Sequence, residues 1–210
     1  MGDAVALRLE HELGQLDFTL TNAQHADLVA YIELISHWNR AYNLTAVRDP
    51  LAMVTRHVVD SLAIATLLPP VTVLDVGTGP GLPGIPLAVA LPEQKFHLLD
   101  SNGKKTRFLF QVKNQLSLSN IEIKETRVES FDVEQGYDCI VSRAFASLRS
   151  MVKSCHHLLS ERGRLFAMKS AGVHAELSEV ADLADLVALR EIKVPGLQET
   201  RYLVELAVRH

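Results

Sequence analysis

The order of hydrophobic and polar residues divides this 210-residue chain into a helical first third and an alternating remainder. Apolar residues recur at helical spacing in three stretches, and the predicted helices span residues 3–16, about 22–40 and about 50–68. Thr21 and Gln24 have the spacing of a capping box, which predicts that the second helix begins near Asn22. Asp49 followed by Pro50 is a typical start for the third helix.

From residue 71 onward, short apolar runs rich in β-branched residues alternate with stretches of helical periodicity. The predicted strands span residues 71–76, 95–100, 121–125, 137–142 and 164–169, and the predicted helices between them span 82–91, 103–117, 147–159 and 173–184. Gly163 is expected to break the chain before the fifth strand. Residues 186–194 and 201–208 flank Pro195-Gly196, which predicts a final antiparallel hairpin.

This alternation predicts an α/β fold, a mostly parallel seven-stranded sheet with helices on both faces. A terminal antiparallel strand after six others is typical, by analogy, of the Rossmann-like class I methyltransferase fold rather than of the dinucleotide-binding one. We therefore expect two units. An N-terminal helical extension would span residues 1–70, and a methyltransferase-like core would span residues 71–210.

The composition is that of a globular protein, with 48% hydrophobic and 22% charged residues. No apolar run reaches 18 residues, and the charged N-terminus is unlike a signal peptide, so we expect a cytoplasmic protein with no membrane span. Cys139 and Cys155 are expected to be reduced and buried. The net charge of −4 counts mildly against nucleic-acid binding, although a local basic patch would suffice.

Three glycines follow the first predicted strand at alternate positions, Gly77, Gly79 and Gly81. Glycine tolerates positive φ and lets the backbone approach a ligand closely. A strand, a glycine loop and a helix start would aim free backbone N–H groups at one point, where a carboxylate or phosphate group should bind. Asp100 ends the next predicted strand, near the offset of about 20 residues expected for a ribose-binding acid.

Two registers of this loop suit different ligands. Gly79, Gly81 and Gly84 match the dinucleotide fingerprint G-x-G-x-x-G, which would suit NAD. The register Asp75-x-Gly77-x-Gly79-x-Gly81 fits better, because its first glycine directly follows the strand, and it resembles motif I of S-adenosylmethionine-dependent methyltransferases. Both NAD and S-adenosylmethionine carry a ribose, so Asp100 does not distinguish between these two cofactors.

Several longer segments are similar to one family, the bacterial 16S rRNA guanine-N7 methyltransferases, also called the glucose-inhibited division protein B family. The matching segments are WNRAYNLT at residues 38–45, RHVVDS at 56–61, DVGTGPGLPGIP at 75–86, LLDS at 98–101, RVE at 127–129 and SRAFASL at 142–148. The resemblance implies S-adenosylmethionine as the methyl donor. It also implies the 16S rRNA of the small ribosomal subunit as partner, with methylation at N7 of a guanine in a loop.

Carried onto matching positions, the resemblance implies a donor site at the carboxyl ends of the strands. It assigns Gly77, Leu82, Val128, Glu129 and Arg143 to cofactor binding, and the glycine pattern and the acid that ends the second strand add Gly79 and Asp100. Arg143 would reach the methionine end of the donor or O6 of the guanine, and it is the one catalytic candidate. N7 has no proton to lose, so no general base is expected.

For the RNA, Asn43 and His57 flank the predicted entrance from the helical extension, and Lys104 and Lys105 are candidate backbone contacts. The adjacent pair His156-His157 lacks metal-ligand spacing, so we expect no metal site. Two other functions stay open. One is a small-molecule methyltransferase on the same core, and the other is a non-catalytic module that binds a nucleotide or NAD.

Overall fold

The second helix begins where its capping residues predict. In the computed structural model, which describes residues 2–143 and 145–209, α1 spans Gly2–Leu13 and α2 spans Asn22–Tyr42. The Thr21 side chain accepts a hydrogen bond from the Gln24 backbone N–H, and the Gln24 side chain accepts one from the Thr21 N–H. The capping box is therefore confirmed, and it satisfies backbone donors that the first turn leaves unpaired.

The third predicted helix is present but irregular. Asp49 caps α3 (Pro50–Met53), and the chain continues as a π-helical segment over Val54–Val59, as α4 over Asp60–Leu62 and as a 3₁₀ turn over Ala65–Leu67. Hydrophobic periodicity does not distinguish a π turn from an α turn, which is why the pattern predicts one regular helix. Five of the six residues in the π-helical segment are buried, and π turns are frequent at functional sites.

The seven strands form one mixed sheet, as predicted. They span Val73–Val76 (β1), Phe96–Asp100 (β2), Ile121–Glu125 (β3), Tyr137–Ser142 (β4), Leu159–Lys169 (β5), Ala184–Ile192 (β6) and Arg201–Val208 (β7). The order in the sheet is β3-β2-β1-β4-β5-β7-β6, and β7 runs antiparallel to both of its neighbours. The remaining helices are α5 (Gly84–Ala90), α6 (Gly103–Gln115), α7 (Leu148–Cys155) and α8 (Val173–Val180).

Some predicted boundaries differ from the structure. Gly163 does not break the chain before β5, because the strand runs through it. A Cβ at this position would lie 2.4 Å from the Tyr137 carbonyl oxygen, so glycine permits a close approach where the β4–β5 register shifts between Tyr137 and Cys139. Helices α7 and α8 end before the predicted positions, since β5 and the hairpin strand β6 begin earlier than expected.

Helices cover the sheet on both faces. One core cluster joins strand residues such as Phe96 and Leu98 to α5 and α6, and also to the N-terminal helices through residues such as Tyr31. A second cluster packs α7 and α8 against the other face. The division into residues 1–70 and 71–210 stays a prediction, because the first cluster includes residues of both parts. None of the described helices is long and apolar enough to cross a membrane.

Candidate functional site

The loop between β1 and α5 has a backbone that glycine favours. Gly77, Gly79 and Gly81 have φ values of 69°, 62° and 102°, all in the left-handed region. A Cβ at Gly81 would lie 2.3 Å from the Ile85 side chain, so glycine is also needed there for packing against α5. The loop therefore folds tightly at the carboxyl ends of β1 and β2.

The expectation that this loop presents free backbone N–H groups is wrong. The N–H groups of Gly77 and Thr78 donate to Leu99 O, that of Gly79 to Asp100 Oδ2, and those of Gly81 and Leu82 to Thr78 O. The first N–H of α5, at Gly84, donates to the Asp75 carboxylate. These N–H groups are therefore all hydrogen-bonded to acceptors in β1, in β2 or in the loop itself. A ligand would contact the backbone surface of the loop rather than a nest of free N–H groups.

Asp75 fixes the loop from beneath. Its carboxylate is fully buried, and Oδ2 accepts hydrogen bonds from the Thr78 hydroxyl at 2.6 Å and from the Gly84 N–H at 2.9 Å. Oδ1 has no hydrogen-bond partner among the described residues. Burial raises the pKa of Asp75 to about 6, against the lowering effect of its two hydrogen bonds. Through its hydrogen bonds to Thr78 and Gly84, Asp75 maintains the shape of the loop.

Asp100 ends β2 beside the loop, and its side chain is 8% exposed. Oδ2 accepts a hydrogen bond from the Gly79 N–H and Oδ1 accepts one from the Asn102 N–H, each at 2.9 Å. Lys105 Nζ lies 3.5 Å from Oδ2, so this predicted RNA contact is paired with the acid, whereas Lys104 is exposed. Each carboxylate oxygen of Asp100 keeps a lone pair for a ligand hydroxyl.

A cavity, which we call the first cavity, opens at the carboxyl ends of β1, β2 and β3. Its lining residues are Val76, Gly77, Leu99, Asp100, Ser101, Thr126, Arg127, Val128, Glu129 and Phe145. Four of the predicted donor-binding residues belong to this set. Two predicted loop residues, Gly79 and Leu82, do not line the cavity. Leu82 is buried in the core, and the Gly79 N–H points to Asp100, to which it donates a hydrogen bond.

Arg143 follows β4 and does not belong to the lining of the first cavity. Its guanidinium donates to the Arg56 carbonyl oxygen at 2.9 Å and to Asp60 Oδ2 at 3.1 Å. Arg201, at the start of β7, donates to Asp60 Oδ1 at 3.1 Å. Asp60 is only 2% exposed, so an arginine that follows β4 and an arginine that begins β7 neutralise one buried carboxylate.

His57 lies in the π-helical segment and is 4% exposed. Its Nε2 is 2.9 Å from the Thr45 hydroxyl oxygen, and its Nδ1 has no hydrogen-bond partner within residues 2–143 and 145–209. Burial, together with the positive charge of Arg143, lowers the pKa of His57 to about 4 against the raising effect of the nearby Arg56 backbone, so the ring is neutral at pH 7. Asn43, the other predicted entrance residue, is exposed and accepts a hydrogen bond from Arg48.

One family of known proteins matches most of this chain. A sequence model of that family, described as rRNA small subunit methyltransferase G, matches residues 24–204. The chain belongs to this family. Ribosomal RNA small subunit methyltransferase G of Photobacterium profundum is 43% identical over 202 residues, which cover 96% of this chain and 98% of the relative. The protein of the same name from Klebsiella pneumoniae is 46% identical over 197 residues, covering 94% and 95%.

Solved structures of more distant proteins share the fold of this family member. A SAM dependent methyltransferase from Aquifex aeolicus matches with a TM-score of 0.57 and 14% identity, over 78% of this chain and 96% of its own. A ribosomal protein L11 methylase from Lactobacillus delbrueckii subsp. bulgaricus matches with a TM-score of 0.55 and 18% identity, over 72% and 77%. The predicted class I methyltransferase fold and the family resemblance are both confirmed.

Asp60 and Arg201 belong to the candidate site of this family member, and the sequence did not predict either of them. An acid within the apolar stretch 58–62 is a signal, because a buried carboxylate requires a partner. The sequence does not reveal that the partner is Arg201, which lies 141 positions away. Ala144, part of the SRAFASL segment, lies outside the described residues.

The described part of this family member, residues 2–143 and 145–209, holds no cluster of side chains suited to a metal ion. No group of three or more His, Cys, Asp or Glu side chains there could hold a metal ion. Cys139 and Cys155 are buried and free, and burial raises the pKa of both thiols. They are therefore core residues that resist ionisation to the reactive thiolate.

Proposed function

We propose that this chain transfers a methyl group from S-adenosylmethionine to N7 of a guanine in a loop of 16S rRNA, acting on the small ribosomal subunit in the cytoplasm. The observation that carries the proposal is the first cavity, with Gly77, Asp100 and Val128-Glu129 in its lining, in a chain of this family. Ligands of open α/β sheets bind outside the carboxyl ends of the strands, where this cavity lies. The names of the relatives point to small-subunit RNA as the acceptor.

The residues of the first cavity fit the methyl donor chemically. Asp100 keeps lone pairs for ribose hydroxyls, and Val128-Glu129 offers an apolar side chain and a carboxylate for the face and the amino group of adenine. Gly77 has no side chain, so the backbone can approach the amino-acid end of the donor. Gly79 supports donor binding indirectly, because its N–H donates to the Asp100 carboxylate. Leu82 supports it by anchoring the glycine loop in the core.

The transfer itself requires little acid–base chemistry. The N7 lone pair forms the new N–C bond while the S–C bond breaks and its electron pair returns to sulfur, so the positive charge passes from sulfur to the purine ring. N7 carries no proton, and none has to be removed. Placing N7 about 3 Å from the methyl carbon, in line with the breaking bond, therefore contributes most to the rate.

We assign recognition of guanine to Arg143. A guanidinium carries five N–H donors, and only Nη1 is engaged by the Arg56 carbonyl and Asp60 among the described residues. The donors on Nε and Nη2 can reach O6 of guanine, which is an acceptor beside N7. Adenine presents an amino group at the corresponding position, so an arginine discriminates between the two purines.

The target guanine is expected in a loop or in an unstacked position, because A-form RNA hides N7 in a deep and narrow major groove. Lys104 and Asn43 are exposed and suit contacts to the RNA backbone. Lys105 is paired with Asp100, so we assign it to support of the donor site. His57 is buried beside the Asp60 ion pairs and lines the same cavity, where it can contact a part of the RNA that enters this cavity.

Two measurements separate this proposal from its alternatives. In calorimetry we expect S-adenosylmethionine to bind and NAD not to bind, and NAD binding alone would favour a nucleotide-binding module. With isotope-labelled methyl donor we expect transfer to small ribosomal subunits and none to free guanosine. Transfer to small nucleophiles without transfer to subunits would favour a small-molecule methyltransferase.

A further inference from the structure

A second cavity lies at the carboxyl ends of β4 and β5 and at the start of β7. Its titratable lining residues are Arg56, His57, Asp60, Arg143, Lys169 and Arg201. Its volume is about 290 Å³, whereas one water molecule occupies about 30 Å³ of liquid, so it admits a group larger than a single water. The strand order reverses between β1 and β4, and the two cavities lie on opposite sides of this point.

Cationic side chains outnumber carboxylates by four to one in the lining of the second cavity. Asp60 is that carboxylate, and its two oxygens accept hydrogen bonds from two of the arginines. Glu199 and Glu176 flank the cavity without lining it, each within 3.6 Å of a lining cation. Four cations are therefore held in place by three acids, so the cations around the cavity exceed the acids by one.

His57 adds an unpaired polar group to the lining of this cavity. Its ring is almost entirely buried, and Nδ1 has no hydrogen-bond partner in the described part of the chain. A buried nitrogen without a partner costs free energy unless a ligand supplies one. In the tautomer in which the Thr45 hydroxyl donates to Nε2, Nδ1 carries the proton and offers an N–H donor to an anion.

We propose that the second cavity binds a phosphate group of the RNA strand next to the target guanine, an inference that rests on the proposed function. Besides Arg143, which is assigned to the guanine, three cations (Arg56, Lys169 and Arg201) and the neutral His57 N–H donor match the oxygens of a phosphodiester, for which arginine is well suited. A nucleobase would need an aromatic stacking partner, and the described lining contains no aromatic ring besides the His57 imidazole. Asp60 is then a positioning residue, which orients Arg201 towards the phosphate and Arg143 towards the guanine.

Guanosine 3′,5′-bisphosphate and guanosine differ only in two phosphates, so their affinities isolate the contribution of the phosphate groups. Calorimetry with each ligand, in the presence of S-adenosylhomocysteine, should show the bisphosphate binding wild-type protein about tenfold more tightly, the effect of one charge-assisted hydrogen bond. In Arg56→Gln this advantage should fall severalfold. Arg56 suits the test because its side chain is half exposed and its carbonyl contact to Arg143 persists.

Arg162→Gln is the matched control, because it removes the same charge from an exposed residue near the opposite end of β5 from Lys169. It should keep the wild-type advantage. Equal affinities for the two ligands in wild type, or an advantage that Arg56→Gln retains, would overturn the phosphate assignment. Methyl transfer to small subunits by the same preparations tests the proposed function separately. Transfer without a phosphate advantage sinks this inference alone, and absence of transfer sinks the proposed function and this inference with it.

Discussion

Two buried residues near the two cavities have pKa values shifted in opposite directions. The pKa of Asp75 is raised from 3.8 to about 6, and that of His57 is lowered from 6.5 to about 4, in both cases chiefly by burial. Between about pH 4 and 6, folded Asp75 binds more protons than the unfolded residue, so its contribution to the free energy of unfolding falls as pH rises. For His57 the unfolded residue binds more protons, so its contribution rises with pH and is complete above about 6.5.

Substitution of each residue should therefore remove that residue's own contribution to the pH dependence of the free energy of unfolding. Relative to wild type, the free energy of unfolding of Asp75→Asn should increase as pH rises from about 4 to 6, by on the order of 2–3 kcal/mol, because no buried carboxylate ionises. That of His57→Gln should decrease by a similar amount from about pH 4 to 6.5. Urea unfolding across this range measures both, and differences that stay constant with pH would refute the two assignments.

Gly77 is the residue at which a side chain should harm donor binding most directly. It has a φ of 69° and lines the first cavity, so an aspartate there would be strained and would place a charge in the cavity. We expect Gly77→Asp to weaken binding of S-adenosylmethionine by at least about 100-fold in calorimetry. Gly172→Asp is the control, since Gly172 also has a positive φ, 95°, but open space around it. It should lose stability and keep its affinity, and wild-type affinity in Gly77→Asp would argue against the site.

Among the elements, α2 connects the helical extension to the glycine loop. The Tyr31 hydroxyl donates to the Pro80 carbonyl oxygen at 2.8 Å. The Tyr31 ring is buried, and its centroid lies 6.5 Å from that of the Phe108 ring on α6. Pro80 lies between two of the loop glycines, so the helix contacts the loop directly. The N-terminal helices therefore help to fix the shape of the glycine loop beside the proposed donor site.

Tyr31→Phe removes this hydrogen bond and keeps the ring. We expect the free energy of unfolding to fall by about 1–2 kcal/mol, because the Pro80 carbonyl loses a buried donor. Backbone hydrogen exchange in residues 77–84 should become faster. Tyr42→Phe, at the exposed end of the same helix, is the control and should change neither quantity. Exchange in the loop that is as slow in Tyr31→Phe as in wild type would mean that the helix does not brace it.

Sequence patterns revealed the elements better than the hydrogen bonds within and between them. Alternation and helical periodicity located the seven strands and most helices, because burial selects directly for those periods. They did not reveal the π-helical segment, the passage of β5 through Gly163, or the internal pairing of the loop N–H groups. Each of these depends on which backbone group lies nearby in three dimensions.

For the whole molecule, strand order decides which site residues a sequence can reveal. The ends of β1, β2 and β3 lie side by side, so the residues that follow these consecutive strands were predictable as the lining of one cavity, which is the proposed donor site. Asp60, Arg143 and Arg201 come from the helical extension, β4 and β7, and Asp60 is 83 and 141 positions from its two partners. Insertion of β7 beside β5 brings these groups together, and no local pattern encodes that insertion.

We propose above all that this chain methylates N7 of a guanine in small-subunit RNA. The most direct measurement is mass mapping of 16S rRNA after unmethylated small subunits are incubated with the protein and isotope-labelled S-adenosylmethionine. We predict one labelled 7-methylguanosine in a loop of the RNA, and none when Gly77→Asp replaces the wild type. Label at another atom, label on ribosomal protein, or no label at all would contradict the claim.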